Sequence, residues 1–195
     1  MLLCDAVKRL EETSADVGAE DGDLLYQRRE GTICQFCKGE CMAAEFGGRV
    51  AEVSTPEPFT ARMHLGNMYG APLLSPKTRA AAMGALNAAA GFLMLTRKTG
   101  ACNSVYFDDC RAELLAYCKD KAVYVIGSDI VGVNQTLTPD EADLVLVSGD
   151  AFLEDAYLGE IEDVLAQKKE VVFIGQNYHG LAALLHLKIW CPYGT

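Results

Sequence analysis

The chain has 195 residues, half of them hydrophobic and 23% charged, with 17 Lys+Arg against 27 Asp+Glu for a formal net charge of −10. A composition this apolar buries a core, which excludes an intrinsically disordered chain or a coiled coil and suits one compact domain or two small ones. The acidic balance predicts no nucleic-acid partner, because phosphate backbones need clustered Lys/Arg, and the most basic run is only Gln27-Arg28-Arg29; nothing polybasic addresses an anionic membrane either.

Taken in chain order, Leu2, Leu3, Ala6, Val7 and Leu10 recur at helical spacing, with Lys8, Arg9, Glu11 and Glu12 opposite, and predict an amphipathic surface helix over 2–13. After the Gly18–Gly22 breaker, Leu24-Leu25-Tyr26 predicts a strand. Cys41–Phe46 and Arg49–Val53 flank Gly47-Gly48 and predict a hairpin. Four of the six prolines then fall between residues 56 and 76, which predicts a long loop. Ser75-Pro76 is an N-cap followed by proline at the first helical position, opening a helix to about Leu95 with Ala80, Gly84 and Ala88 as a smooth stripe. That Ala/Gly-rich stretch carries Asn87 and is too short for the ~20 apolar residues of a membrane span, so it reads as a buried helix.

From about Lys98 the pattern changes to helix and strand in alternation. A helix capped by Asp108 or Asp109 runs through Cys118. The runs 121–127, 143–149 and 170–175 read as buried strands ending in glycine turns. Between them lie a Thr138–Glu141 capping box, a helix over 157–168 and a last helix over 181–187. Strands without polar alternation, separated by helices, predict a parallel sheet covered on both faces. The expected fold class is therefore α/β, with a small α+β half over 1–98 (antiparallel hairpin sheet plus Ala/Gly-rich helix) and a compact parallel-sheet half over 99–195.

The chain contains 8 cysteines, too few for a disulfide scaffold, and Met1–Asp5 has neither a basic nor an apolar leader pattern, so the expected compartment is a reducing cytoplasm. Clustered cysteines there are metal ligands or reactive thiols more often than disulfide partners. The sharpest signal is Cys34-x-x-Cys37-x-x-x-Cys41. Three thiols within eight residues, with Gly39 to let the chain wrap an ion, can converge on zinc or an iron-sulfur cluster. A fourth ligand would come from Cys102, Cys4, His64, water or substrate. The bland alternative is three free thiols on a loop before a hairpin. The spacing reverses that of the radical-enzyme motif, and the chain is too short for the eight-fold strand-helix repeat those enzymes use. Cys110, Cys118 and Cys191 read as small packing hydrophobes.

The order of elements resembles the heavy-metal-chelation family of unknown function. The residues that carry the likeness are Arg79–Ala88, Val125-Ile126-Gly127, Ala142–Gly149 and Val172-Phe173-Ile174-Gly175-Gln176. The resemblance covers roughly residues 75–195 and implies an enolase-N-terminal-like half joined to a Rossmann-like half. Two departures stand out: a short connection from Gly127 to Thr138, and an acidic turn Asp150–Asp155 where the family pattern has Ser and Asn.

In such a fold the glycine turns lie at the carboxyl ends of parallel strands, where ligands bind. This makes Gly127, Ser128, Asp129, Gly149, Asp150, Gly175, Gln176 and Asn177 the candidate ligand-binding residues, in a crevice between the two halves. Gly127-x4-Gly132 is neither a dinucleotide fingerprint nor a Walker loop, so no nucleotide cofactor is expected. His179 and Asp150 are the acid-base candidates, against the alternative that His179 caps the next helix. His186 and Asn87 read as structural. Three functions remain: a metal-binding protein with a small-ligand crevice, an enzyme acting on a small metabolite, or a non-catalytic accessory protein that forms a homodimer.

Overall fold

The antiparallel half is built on the hairpin at Gly47-Gly48. Both glycines have positive φ (+56° and +78°), the backbone a two-residue turn needs to match strand twist, and Phe46 pairs with Arg49 across it. The computed structural model describes residues 1–195. Strands β1 (Asp23–Arg28), β2 (Glu40–Phe46), β3 (Arg49–Thr55) and β4 (Ala61–His64) form one sheet in the order β3-β2-β1-β4, all pairs antiparallel. Alternate residues Leu24 and Tyr26, Met42, Ala44 and Phe46, and Ala51 and Val53 are buried on one face. Against that face lies α2 (Pro76–Phe92), opened by reciprocal Ser75–Thr78 capping, with α1 (Leu2–Ser14) beyond it. Gly84 sets the closeness of this packing, because a Cβ there would stand 2.9 Å from Ala44 Cβ and 3.2 Å from Tyr26.

The second half comprises α3 (Phe107–Cys118), β5 (Val123–Ile126), β6 (Leu144–Val147), α4 (Asp155–Ala166), β7 (Glu170–Ile174), α5 (His179–Leu185) and β8 (Ile189–Trp190). Its four strands are parallel in the order β5-β6-β7-β8, as the apolar runs predict. Both faces are covered. Val145, Val147, Val171 and Phe173 join α1, α2, α4 and α5 in a core of 36 buried residues that runs from Leu3 to Leu184 and so joins the two halves. Leu144, Leu146, Val172 and Ile174 face the other way, into a core of 12 shared with α3 and the loop between β1 and β2.

Three elements depart from the expected pattern. The proline-rich loop contains β4, four residues that pair with the edge of β1, where prolines on either side do not interrupt a ladder. The C-terminal stretch adds β8, a two-residue strand held by β7. Residues 139–141 form only a single 3₁₀ turn, and Thr138 makes no side-chain cap. No helix is long and apolar enough to cross a membrane.

Candidate functional site

The β1–β2 loop carries Cys34 and Cys37 onto the carboxyl end of the parallel sheet. A turn closes the pair, with Cys37 N–H donating to Cys34 O at 2.9 Å. The loop is tied down at both sides: Cys34 N–H donates to Gln176 Oε1 at 2.8 Å, Gln35 Nε2 to Phe107 O at 2.5 Å, and Arg111 Nε to Gln35 Oε1 at 3.1 Å. Beneath it the glycine turns have no side chains, and the thiols use that space. A Cβ on Gly149 would lie 2.0 Å from Cys37 Sγ, and one on Gly175 would lie 2.8 Å from it. Gly175 also has φ +101°, so two independent constraints require glycine there.

Cys34 and Cys37 stand 4.3 Å apart and both are buried. The neighbouring Cys37 thiol and then burial hold the Cys34 thiol far above its ordinary range, while the Phe36 amide N–H, aimed at its sulfur, pulls the other way. Three further thiols lie within electrostatic reach of Cys34. Burial pushes Cys110 up to about 11 and Cys191 up to about 12, and raises Cys102, and in each the proximity of Cys34 adds to the effect. The nearby Trp190 indole acts in the opposite sense, although its Nε1 makes no hydrogen bond to the sulfur. Cys102 is one of several fourth-ligand options that the sequence offers, and nothing in the sequence separates Cys110 and Cys191 from packing residues. They come near enough to Cys34 for its charge to act on them through the packing of α3 and the chain after β8 around the same loop.

Cys41 takes a different place. It is on β2 opposite Ser54, with its sulfur 3.1 Å from where a Gly31 Cβ would be; burial and then Glu52 push it up to about 11. His64 is exposed at the end of β4, its Nδ1 3.0 Å from Asp21 O and 3.9 Å from Asp23 Oδ1. No three His, Cys, Asp or Glu side chains stand ready in this arrangement to hold a metal ion.

The predicted ligand-binding turns are largely internal joints. Asp150 is buried and accepts from Ser148 Oγ (2.5 Å) and Ser128 Oγ (2.6 Å), so both carboxylate oxygens are engaged. Ser148 Oγ also accepts from Ser128 N–H at 2.7 Å, in the space that a Gly127 side chain would take. Asn177 bridges the halves: its Oδ1 accepts from Ser54 N–H (2.7 Å) and its Nδ2 donates to Ser54 O (3.0 Å) and Gly149 O (2.6 Å). Asn87 is the buried structural amide that the sequence suggests, donating to Gln176 O and accepting from Gly180 N–H. Of the predicted set, Asp129 is exposed, Gly127 is half-buried and the rest are buried.

His179 begins α5 and is 4% exposed. Burial first, then Lys98, lowers it to about 4, so it is a neutral imidazole at pH 7. Four buried side-chain nitrogens in the chain have no partner: both ring nitrogens of His179, Gln176 Nε2 and Trp190 Nε1. All four lie around the carboxyl end of β7 and β8, beside the gathered thiols. Comparison of the chain with family models, curated proteins and solved structures finds no match.

Proposed function

We propose that the chain binds a thiophilic metal ion at Cys34 and Cys37. The observation that carries this reading is the pairing of two buried thiols at 4.3 Å on a hydrogen-bonded loop. Thiolate–zinc bonds of about 2.3 Å let one ion span that gap. The donor set fits a two-thiolate chelate, with Cys102, Cys110 or Cys191 supplying further coordination after side-chain rotation. The orphaned N–H groups of Gln176 and Trp190 suit the same role, since thiolate sulfurs bound to a metal accept hydrogen bonds that neutral thiols leave unused. An ion there displaces the thiol protons, which couples affinity to pH. Resemblance to the heavy-metal-chelation family points the same way, and unpaired thiols suit a reducing compartment such as the cytoplasm. Zinc, copper(I) and an iron-sulfur cluster differ in how many of the surrounding cysteines they engage.

The test is anaerobic titration of the full chain with Zn(II), Cd(II) and Cu(I), and elemental analysis of protein purified without chelators. Uptake that is lost in Cys34→Ser/Cys37→Ser and retained in Cys41→Ser is the expected outcome. Equal loss in Cys41→Ser moves the ligand set back to the three-cysteine motif, and no uptake by the wild-type chain overturns the reading.

A further inference from the structure

Strand β8 and the residues after it wall a cleft of about 280 Å³ lined by Lys98, His179, Ile189, Trp190, Cys191 and Pro192. The residues from 98 to 100 are strapped to the chain's last residues. Lys98 Nζ donates to Cys191 O (2.6 Å) and Pro192 O (2.7 Å), and Thr99 and Gly100 N–H donate to Thr195 O. Two of the three ammonium protons are thus used, and Lys98 takes part in none of the protein's ion pairs. The cleft holds one positive charge with no carboxylate against it.

His179 supplies the second observation. It lines the cleft, is 4% exposed, and neither ring nitrogen has a partner. Buried polar groups are almost always hydrogen-bonded, and an imidazole with both nitrogens idle is a strong exception. Its position is fixed: Nε2 lies 3.1 Å, and Cys191 Sγ 2.7 Å, from the point a Gly194 Cβ would occupy. A neutral imidazole offers one N–H to an acceptor. The remaining walls, Ile189, the Trp190 ring and Pro192, are apolar. These walls complement an acceptor with a single negative charge and a short hydrocarbon body, since a doubly charged anion would leave one charge uncompensated. The hollow on the outer face of the antiparallel sheet differs in kind: Arg28 and Arg29 there share the surface with Glu45, and no buried polar atom is idle.

We propose that this cleft binds a small organic carboxylate, its oxygens accepting from Lys98 and His179 and its apolar body lying against Trp190. This inference uses no thiolate and does not rest on the metal reading. The test follows the His179 ring and Trp190 indole signals by NMR as butyrate is added to the full chain, with butyramide as the uncharged isostere. A saturable shift with butyrate and none with butyramide is expected. Lys98→Met weakens it about tenfold or more, as loss of a charged hydrogen bond does, and Lys98→Arg keeps it. No saturable shift with butyrate, or an equal one with butyramide, overturns the proposal. If Lys98→Met loses the strap and the fold, the butyrate–butyramide pair on the wild-type chain decides alone.

Discussion

The amide N–H of Cys34 donates to Oε1 of Gln176, 142 positions later in the chain, while Nε2 of the same side chain has no partner. One end of this buried amide therefore anchors the thiol loop to the turn after β7, and the other end is an unused buried donor. Replacing Gln176 by Leu removes the anchor and leaves the Cys34 amide unsatisfied, at a cost of about 1–3 kcal/mol. The expected signature is a lower urea midpoint with faster hydrogen exchange confined to the 31–39 loop. Unchanged exchange at Cys34 would show that the turn holds itself.

Asn177 makes the larger connection, because its carboxamide bonds β3 of one half and the β6 turn of the other. Asn177→Ala leaves a Ser54 amide and two carbonyls buried without partners and should cost about 3 kcal/mol. Since one core runs through both halves, chemical unfolding should remain a single transition in the variant. Two separated transitions would mean that the halves stand on their own.

The contact between Gly149 and Cys37 predicts a non-additive pair. Gly149→Ala places a methyl 2.0 Å from Cys37 Sγ, and the displaced thiol has the Gly175 turn on its other side. The single variant should lose about 1–3 kcal/mol from overpacking, and Cys37→Ala, which removes the obstructing sulfur, should recover most of that loss in the double variant. Additive effects in the double-mutant cycle would count against the docking described for the loop.

Much of this architecture is legible in the sequence because its signals are local. Gly47-Gly48 specifies a turn by backbone conformation alone, Ser75-Pro76 specifies a helix start, and the apolar runs at 123–126, 144–147 and 170–174 can only be strands buried on both faces. Strands β4 and β8 escape notice because they are short edge pieces held by their neighbours rather than by their own periodicity. The site is less legible for a similar reason. Cys34-x-x-Cys37 is visible as a motif, yet strand register takes Cys41 to the Glu52 side, and Cys110 and Cys191 reach Cys34 through tertiary packing that no spacing encodes. The glycines after β6 and β7 look like ligand turns; here the space above them is taken by the chain's own Cys37.

Arg79 on α2 is 1% exposed and gives all of its directed contacts to one region. Its guanidinium donates to the carbonyls of Leu73, Phe152 and Leu153 and to Asp155 Oδ1 at 2.5 Å. Asp155 itself is largely exposed, so the backbone carbonyls hold the cation in place more than the ion pair does. Arg79→Met should cost about 3–5 kcal/mol, whereas Asp155→Asn should cost under about 1 kcal/mol. Similar losses in thermal or urea unfolding for the two variants would assign the energy to the ion pair instead.

The buried His179 gives stability a specific pH dependence. Its folded value of about 4 lies below the ordinary 6.5, so the unfolded chain binds more protons between those values. The fold therefore carries no penalty above pH 6.5 and loses stability as pH falls from 6.5 toward 4, by about 3 kcal/mol across the window. Glu170, held down to about 2 by Lys188 and Tyr117, adds its own loss only below its ordinary 4.5, so the upper part of the fall belongs to the histidine. Urea midpoints measured from pH 7 to 5 should decline in the wild-type chain and stay nearly level in His179→Gln. Parallel declines in both would place the titrating group elsewhere and leave His179 without the environment that also makes it a carboxylate ligand.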